Sequence, residues 1–219
     1  MSTTHRGDPT QRPRLIVTKA GPVDTRLVVL FLPGGRARSA QTARGTQAAN
    51  LRLISFARIA GRRLRNHPAA VWRLRYRVRG WNEPSFDPVQ DTAWALDEAR
   101  RRHPGARVAL IGHSMGGRTA FRCAGDPSVL GVCAFAPWTE VGEPVAQLAG
   151  RTVVIAHGDL DRITDPLLSR SYAERAALAG ADVRFEIVAG EGHALLRRAA
   201  RWKALITEFL DLVEAAPSR

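Results

Sequence analysis

Residues 108–117 read Val-Ala-Leu-Ile-Gly-His-Ser-Met-Gly-Gly, and their reading decides the fold. An apolar run without polar interruption suits a strand buried on both faces, as in a parallel sheet. Gly112 and Gly116 bracket Ser114 in a Gly-x-Ser-x-Gly pattern, and 115–124 continues as a helical stretch. A serine held between a buried strand and a helix, with small residues two before and two after, marks a sharp turn that lifts its hydroxyl above the sheet. Side chains at those two positions would collide with the neighbouring strand and helix. The following helix aims its first amides at the same place, so the Met115 N–H can face a developing oxyanion.

Further apolar runs lie on either side, at 15–18, 27–32, 69–78, 129–136, 152–157 and 183–188. The segment near 72 alternates, with Trp72, Leu74, Tyr76 and Val78 set against Arg73, Arg75, Arg77 and Arg79. One face of that strand is therefore wetter, or its arginine stems lie along a neighbouring helix. Helical spacing marks 47–65, 88–102, 166–179 and 195–214. Asp87-Pro88 and Asp165-Pro166 each read as a capping residue followed by a first-turn proline. Strand and helix in alternation predict an α/β fold with a doubly wound, mostly parallel sheet. Residues 1–13 are expected to be a flexible tail, and 14–219 a single domain.

With 45% hydrophobic and 24% charged residues, the 219-residue chain is of ordinary globular composition, able to bury a core without metal or disulfide. Its longest apolar run, Leu27 to Leu32, is too short to span a membrane. The polar N-terminus lacks the apolar stretch of a secretory signal, which points to a cytoplasmic protein. Cys123 and Cys133 read as small core residues. Net charge is +13, and 31 of the 33 basic residues are arginine. Thirteen of these arginines lie in 26–79, with no acid between Thr25 and Asn82. One face or edge should therefore carry a positive field. Either it meets an anionic partner or it is a solvated surface; no nucleic-acid motif accompanies it, so no nucleic-acid partner is expected.

A serine hydroxyl is a weak nucleophile, and needs a base held by an acid. On such a sheet both should follow later strands, at the strands' carboxyl ends. After 152–157 three aspartates compete. Asp165 is explained as a helix cap, Asp159 as a loop-backbone acceptor, and Asp161 as the acid able to turn back across the sheet top, with Asp159 as its alternative. After 183–188, His193 lies between a glycine-rich loop and a helical stretch, where the base belongs. Of the other histidines, His5 lies in the tail, and His67 and His103 read as exposed. His113 should pack beside the serine, and His157 should bond a backbone group. A second oxyanion donor is expected from Pro33-Gly34-Gly35-Arg36, either Gly35 or Arg36. Loops 34–38, 81–86 and 138–145 can line the site and offer Arg38, Trp81 and Trp138 to substrate, with Arg36 at the mouth.

With these residues the chain, from 14 to its end, resembles the α/β-hydrolase superfamily. The order Ser114, Asp161, His193 is the family's nucleophile–acid–base order. His157-Gly158-Asp159-Leu160-Asp161 resembles its His-Gly-x-x-Asp acid loop, and Gly192-His193 its Gly-His base. Leu32-Pro33-Gly34-Gly35 stands where the family has His-Gly and an oxyanion residue, with Pro33 in place of the histidine. The stretch from Pro137 to Arg151 is too short for the family's cap domain. The likeness is therefore to small uncapped esterases, lipases, thioesterases and dienelactone-hydrolase-like enzymes. It implies hydrolysis of a small-molecule ester or thioester through an acyl-enzyme, without cofactor or metal. The alternatives are a small peptidase, and a non-catalytic protein of this fold that uses the arginine block to hold an anionic partner.

Overall fold

All seven apolar runs become strands of one sheet. In the computed structural model, which describes residues 12–215, the strands are β1 (Arg14–Lys19), β2 (Leu27–Leu32), β3 (Ala69–Arg75), β4 (Arg107–His113), β5 (Val129–Phe135), β6 (Thr152–Gly158) and β7 (Asp182–Val188). Almost all of the expected 1–13 tail, with His5, lies outside the described residues. The sheet order is β1-β3-β2-β4-β5-β6-β7, with β1 antiparallel to β3 and every other pair parallel. The crossovers carry α1 (Ala48–Arg63), α2 (Asp87–Arg102), α3 (Met115–Cys123) and α4 (Pro166–Leu178), and α5 (Ala199–Ala215) follows β7.

The period of two along β2 makes two cores. Val28, Leu30 and Leu32 pack on the side of α2, α3 and α4, whereas Val29 and Phe31 join Phe56 of α1 and Phe209 of α5. Both cysteines are free and buried among these side chains, and burial pushes the Cys123 thiol up to about 12. No helix among the described residues is long and apolar enough to cross a membrane.

Three details depart from the sequence reading. The run at 69–78 stops being a strand at Arg75, and residues 77–81 zip instead onto the loop after β2. Arg36 N donates to Arg79 O and Trp81 N to Arg36 O, both at 2.8 Å. Asp87 does not cap α2: Phe86 takes that place at φ 49°, and the Asp87 carboxylate accepts from Asn82 Nδ2 and Ser85 Oγ. The last helix begins at Ala199 rather than 195, because Glu191 takes the Arg197 and Arg198 amides. Asp165 does cap α4, accepting from Leu167 N at 2.8 Å. Two of the alternating arginines find partners: Arg73 donates to Thr18, and Arg77, just past the strand, pairs with Asp91 and Asp87.

Candidate active site

Ser114 alone makes the turn from β4 to α3, at φ 56° and ψ −121°. A positive φ strains any residue but glycine, and the surrounding close packing holds it there. A Cβ on Gly112 would lie 2.2 Å from Gly116 O, and one on Gly116 would lie 2.1 Å from Leu32 O. Both glycines are thus required by backbone contact. Ser114 N donates to Phe135 O at 3.0 Å, which pins the turn to β5. The Ser114 hydroxyl makes no hydrogen bond among the described residues; in empty sites such bonds often tighten only with substrate bound.

The loops after β6 and β7 bring Asp161 and His193 together. Asp161 Oδ2 accepts from His193 Nδ1 at 2.8 Å, His157 Nε2 at 3.0 Å and Thr164 Oγ1 at 2.8 Å. Its Oδ1 accepts from the amides of Ile163 and Thr164 at 2.8 and 3.1 Å. Burial alone would raise this carboxyl, but the bonds from His157, His193, Ile163 and Thr164 outweigh it and hold it well below the usual carboxylate range. An ionised Asp161 fixes a proton on His193 Nδ1 and leaves Nε2 as the basic nitrogen. Asp159 is occupied elsewhere, accepting from Gly190 N at 2.7 Å.

His113 joins the elbow to the base loop. Its Nε2 donates to His193 O at 2.9 Å, and the two rings lie 4.9 Å apart. Burial, with the nearby charges of His193 and Arg52, lowers the His113 imidazole to about 3, so it stays neutral. Glu191, 1% exposed, fixes the same loop from below by accepting from Gly192 N, Arg197 N, Arg198 N and Trp202 Nε1.

The loop after β2 lies across the elbow. A Cβ on Gly35 would sit 2.3 Å from Met115 Cε, and one on Gly34 3.3 Å from Ser114 Cβ. The Arg36 amide is taken by Arg79 O, whereas the Gly34 and Gly35 amides have no partner among the described residues. Arg38, Trp81 and Trp138 line one cavity of about 340 Å³ together with Ala37, Glu83, Arg118 and Glu140. Trp81 is 1% exposed and serves as wall rather than open surface. Arg36 is exposed and does not line this cavity.

The histidine readings hold in part. His113 packs where expected. His157 meets three side chains, Asp161, Thr164 and Ser169, rather than backbone. His67 and His103 are half-buried, not exposed; His67 pairs with Glu214 and His103 packs on Trp72. Thr164 and Arg118 drew no attention in the sequence. Thr164, three residues past the acid, had a readable signal in a Thr that can reach back to Asp161; a single arginine on α3 had none.

A family model described as serine aminopeptidase, S33 matches residues 76–154, which include Ser114 but neither Asp161 nor His193. No curated protein matches. Among solved structures, a thermophilic esterase of Thermogutta terrifontis aligns with TM-score 0.71 and 18% identity, over 98% of this chain and 94% of that one. A serine hydrolase without lid from Xanthomonas campestris aligns with TM-score 0.64 and 18% identity, over 96% and 99%. An α/β serine hydrolase homologue from Coxiella burnetii gives 0.69 and 14%, over 92% and 93%. The chain is an uncapped α/β-hydrolase by fold. Between β5 and β6, where such a fold can carry a cap, residues 136–151 form only a loop and one short 3₁₀ turn, Ala146–Leu148. The elbow of this hydrolase fold thus opens directly toward the loops after β2, β3 and β5.

Proposed function

We propose that the chain is a serine hydrolase that cleaves a carboxylic ester or thioester through an acyl-enzyme. The observation that carries the reading is the buried Asp161 carboxylate on His193 Nδ1, in a fold that sets Ser114 on a strained elbow whose preceding residue, His113, bonds the His193 carbonyl. Ser114 Oγ attacks the carbonyl carbon. His193 Nε2 takes the hydroxyl proton and passes it to the leaving oxygen or sulfur. Asp161 keeps the imidazole in the needed tautomer and stabilises the imidazolium. The Met115 and Gly35 amides hold the tetrahedral oxyanion, Gly35 being preferred because the Arg36 amide is already bonded. Water, activated by His193, then releases the acid. Neither metal nor cofactor is needed for these steps.

An ester or thioester is preferred to a peptide because amides have poorer leaving groups and the 136–151 segment offers little to hold a chain. The esterase of Thermogutta terrifontis, which is phosphonylated by cyclosarin, supports the same chemistry here through its fold. A non-catalytic protein of this fold would not need the acid–base pair. The test is a fluorophosphonate probe followed by p-nitrophenyl esters of graded length and acyl-CoA compounds. Labelling of Ser114 with turnover of one ester series is expected. Ser114→Ala should lose the label and about 10⁴–10⁶ in kcat. Unlabelled wild type, or full turnover in Ser114→Ala, would overturn the assignment.

A further inference from the structure

Beside the elbow lies a cation that this reaction does not use. Arg118 stands one helical turn after Ser114 on α3, with its side chain 6% exposed. Its guanidinium carbon lies 4.5 Å from the Trp81 ring centre and 4.6 Å from that of Trp138. Nε donates to Glu143 Oε2 at 2.6 Å, and the buried Glu143 also takes Arg122 Nε. Two arginines thus share one buried carboxylate. The other edge of the guanidinium is open: Nη1 and Nη2 make no hydrogen bond among the described residues and border the cavity of about 340 Å³. The nearest carboxylates there are Glu140, 4.0 Å from Nη1, and Glu83, 3.7 Å from Nη2. Both distances exceed hydrogen-bond reach, and both side chains are about half exposed, at 49% and 54%.

We propose that the Nη1/Nη2 edge of Arg118 binds a carboxylate on the acyl part of the substrate, so that the chain selects hemiesters of short dicarboxylic acids. The inference rests on the ester-hydrolase reading above and names its substrate class. A buried guanidinium with two open donors in a fixed fork suits a planar, bidentate acceptor. Glu140 has no hydrogen bond at that edge and can turn to water when a substrate carboxylate arrives, whereas Glu83 stays at the rim, its Oε1 accepting from Trp81 Nε1 at 3.1 Å. A doubly charged phosphate would meet the same two glutamates at greater repulsion. The reach also fits. The amides of Arg118 and Trp138 both donate to Ser114 O, at 3.3 and 3.2 Å, so two residues that line the cavity are tied by their backbone to the elbow. One helical turn, about 5.4 Å, separates Ser114 from Arg118, which places the carboxylate a few carbons from the scissile carbonyl. A neutral acyl chain of equal length leaves both donors unpaired, and this gives the discrimination.

The test compares the p-nitrophenyl hemiester of glutarate with the same compound methylated on its carboxylate. Wild type should favour the charged ester in kcat/KM by about 10-fold to 100-fold, the worth of a hydrogen bond to a charged group. Arg118→Gln should bring the ratio near one, and Arg118→Lys should keep part of it. Glu83→Gln with Glu140→Gln, at half-exposed positions that tolerate change, should raise it. Binding is read separately: free glutarate should raise the melting temperature of wild type, and butyrate should not. Both esters cleaved alike, with no glutarate shift, overturns the subsite and leaves the esterase reading standing. A glutarate shift absent from Arg118→Gln, with neither ester cleaved, supports the subsite and sinks the esterase reading instead.

Discussion

Asp161 accepts five hydrogen bonds, and that count explains why an amide cannot replace it. In Asp161→Asn one end of the side chain becomes an NH₂ group facing N–H and O–H donors, whichever way it is turned. Loss of about 10⁴ in kcat is expected, by analogy with other triads. Asp159→Asn keeps an acceptor for Gly190 N and should change little; a larger loss at Asp159 than at Asp161 would exchange their roles. Ser114→Gly separates strain from chemistry. It removes the hydroxyl and activity with it, yet glycine accepts φ 56° freely, so denaturation should report a gain of about 1 kcal/mol. His113 supplies a pH test. The unfolded imidazole protonates near 6.5, the folded one only near 3, so the unfolded state holds the extra proton between them. Stability from this group is present above 6.5 and falls as pH falls toward 3. Urea midpoints at pH 7 and 4.5 should show His113→Gln losing about 2 kcal/mol less than wild type over that interval.

At the scale of elements, His193, the proposed base, is set by a loop rather than by a helix, and Glu191 is the residue that fixes that loop. Its carboxylate gathers Gly192 and the amides ahead of α5, and Trp202 Nε1 reaches it from that helix. Glu191→Ala leaves several buried donors unpaired, and should cost on the order of 3 kcal/mol. It should also lower kcat by about 10-fold through a displaced His193, with KM nearly kept; Glu191→Gln, which retains an acceptor, should recover part of both. An unchanged kcat in Glu191→Ala would show that His193 needs no such support. The sequence carried the strands well, because runs such as Leu27–Leu32 are buried on both faces and admit no polar residue. The placement of Ser114, Asp161 and His193 was legible because each lies just past a strand. The sequence did not carry Glu191, whose partners follow it by up to eleven residues around a loop. Nor did it carry Arg118, whose neighbours Trp81, Glu83, Trp138 and Glu143 come from two separate loops. Phe86 displaced Asp87 as cap because the Asp87 side chain is claimed by Asn82 and Ser85, a tertiary demand that overrides local preference.

At the scale of the molecule, the arginine excess and the buried arginine act over different distances, and salt can tell them apart. The 26–79 arginines gather on the β1–β3–β2 side of the sheet, and part of their charge is already answered: Arg63 pairs with Asp211 and Glu214, and Arg77 with Asp91. Arg36 and Arg38 remain exposed on the loop beside the elbow, and Arg38 also borders the cavity. Their field on an approaching anion passes through water and is screened beyond about 8 Å at physiological salt. Contact with Arg118 occurs inside the cavity, between aromatic walls, where ions screen far less. For a carboxylate-bearing ester, kcat/KM should therefore fall between about 0.02 and 0.5 M salt, while its neutral counterpart hardly responds. Arg36→Gln with Arg38→Gln should flatten that fall, yet the preference for the charged ester measured at high salt should persist. Equal salt dependence for the two esters would mean that the exposed arginines are plain surface and steer nothing. If the preference itself vanished at high salt, long-range attraction and not the Arg118 edge would be its source.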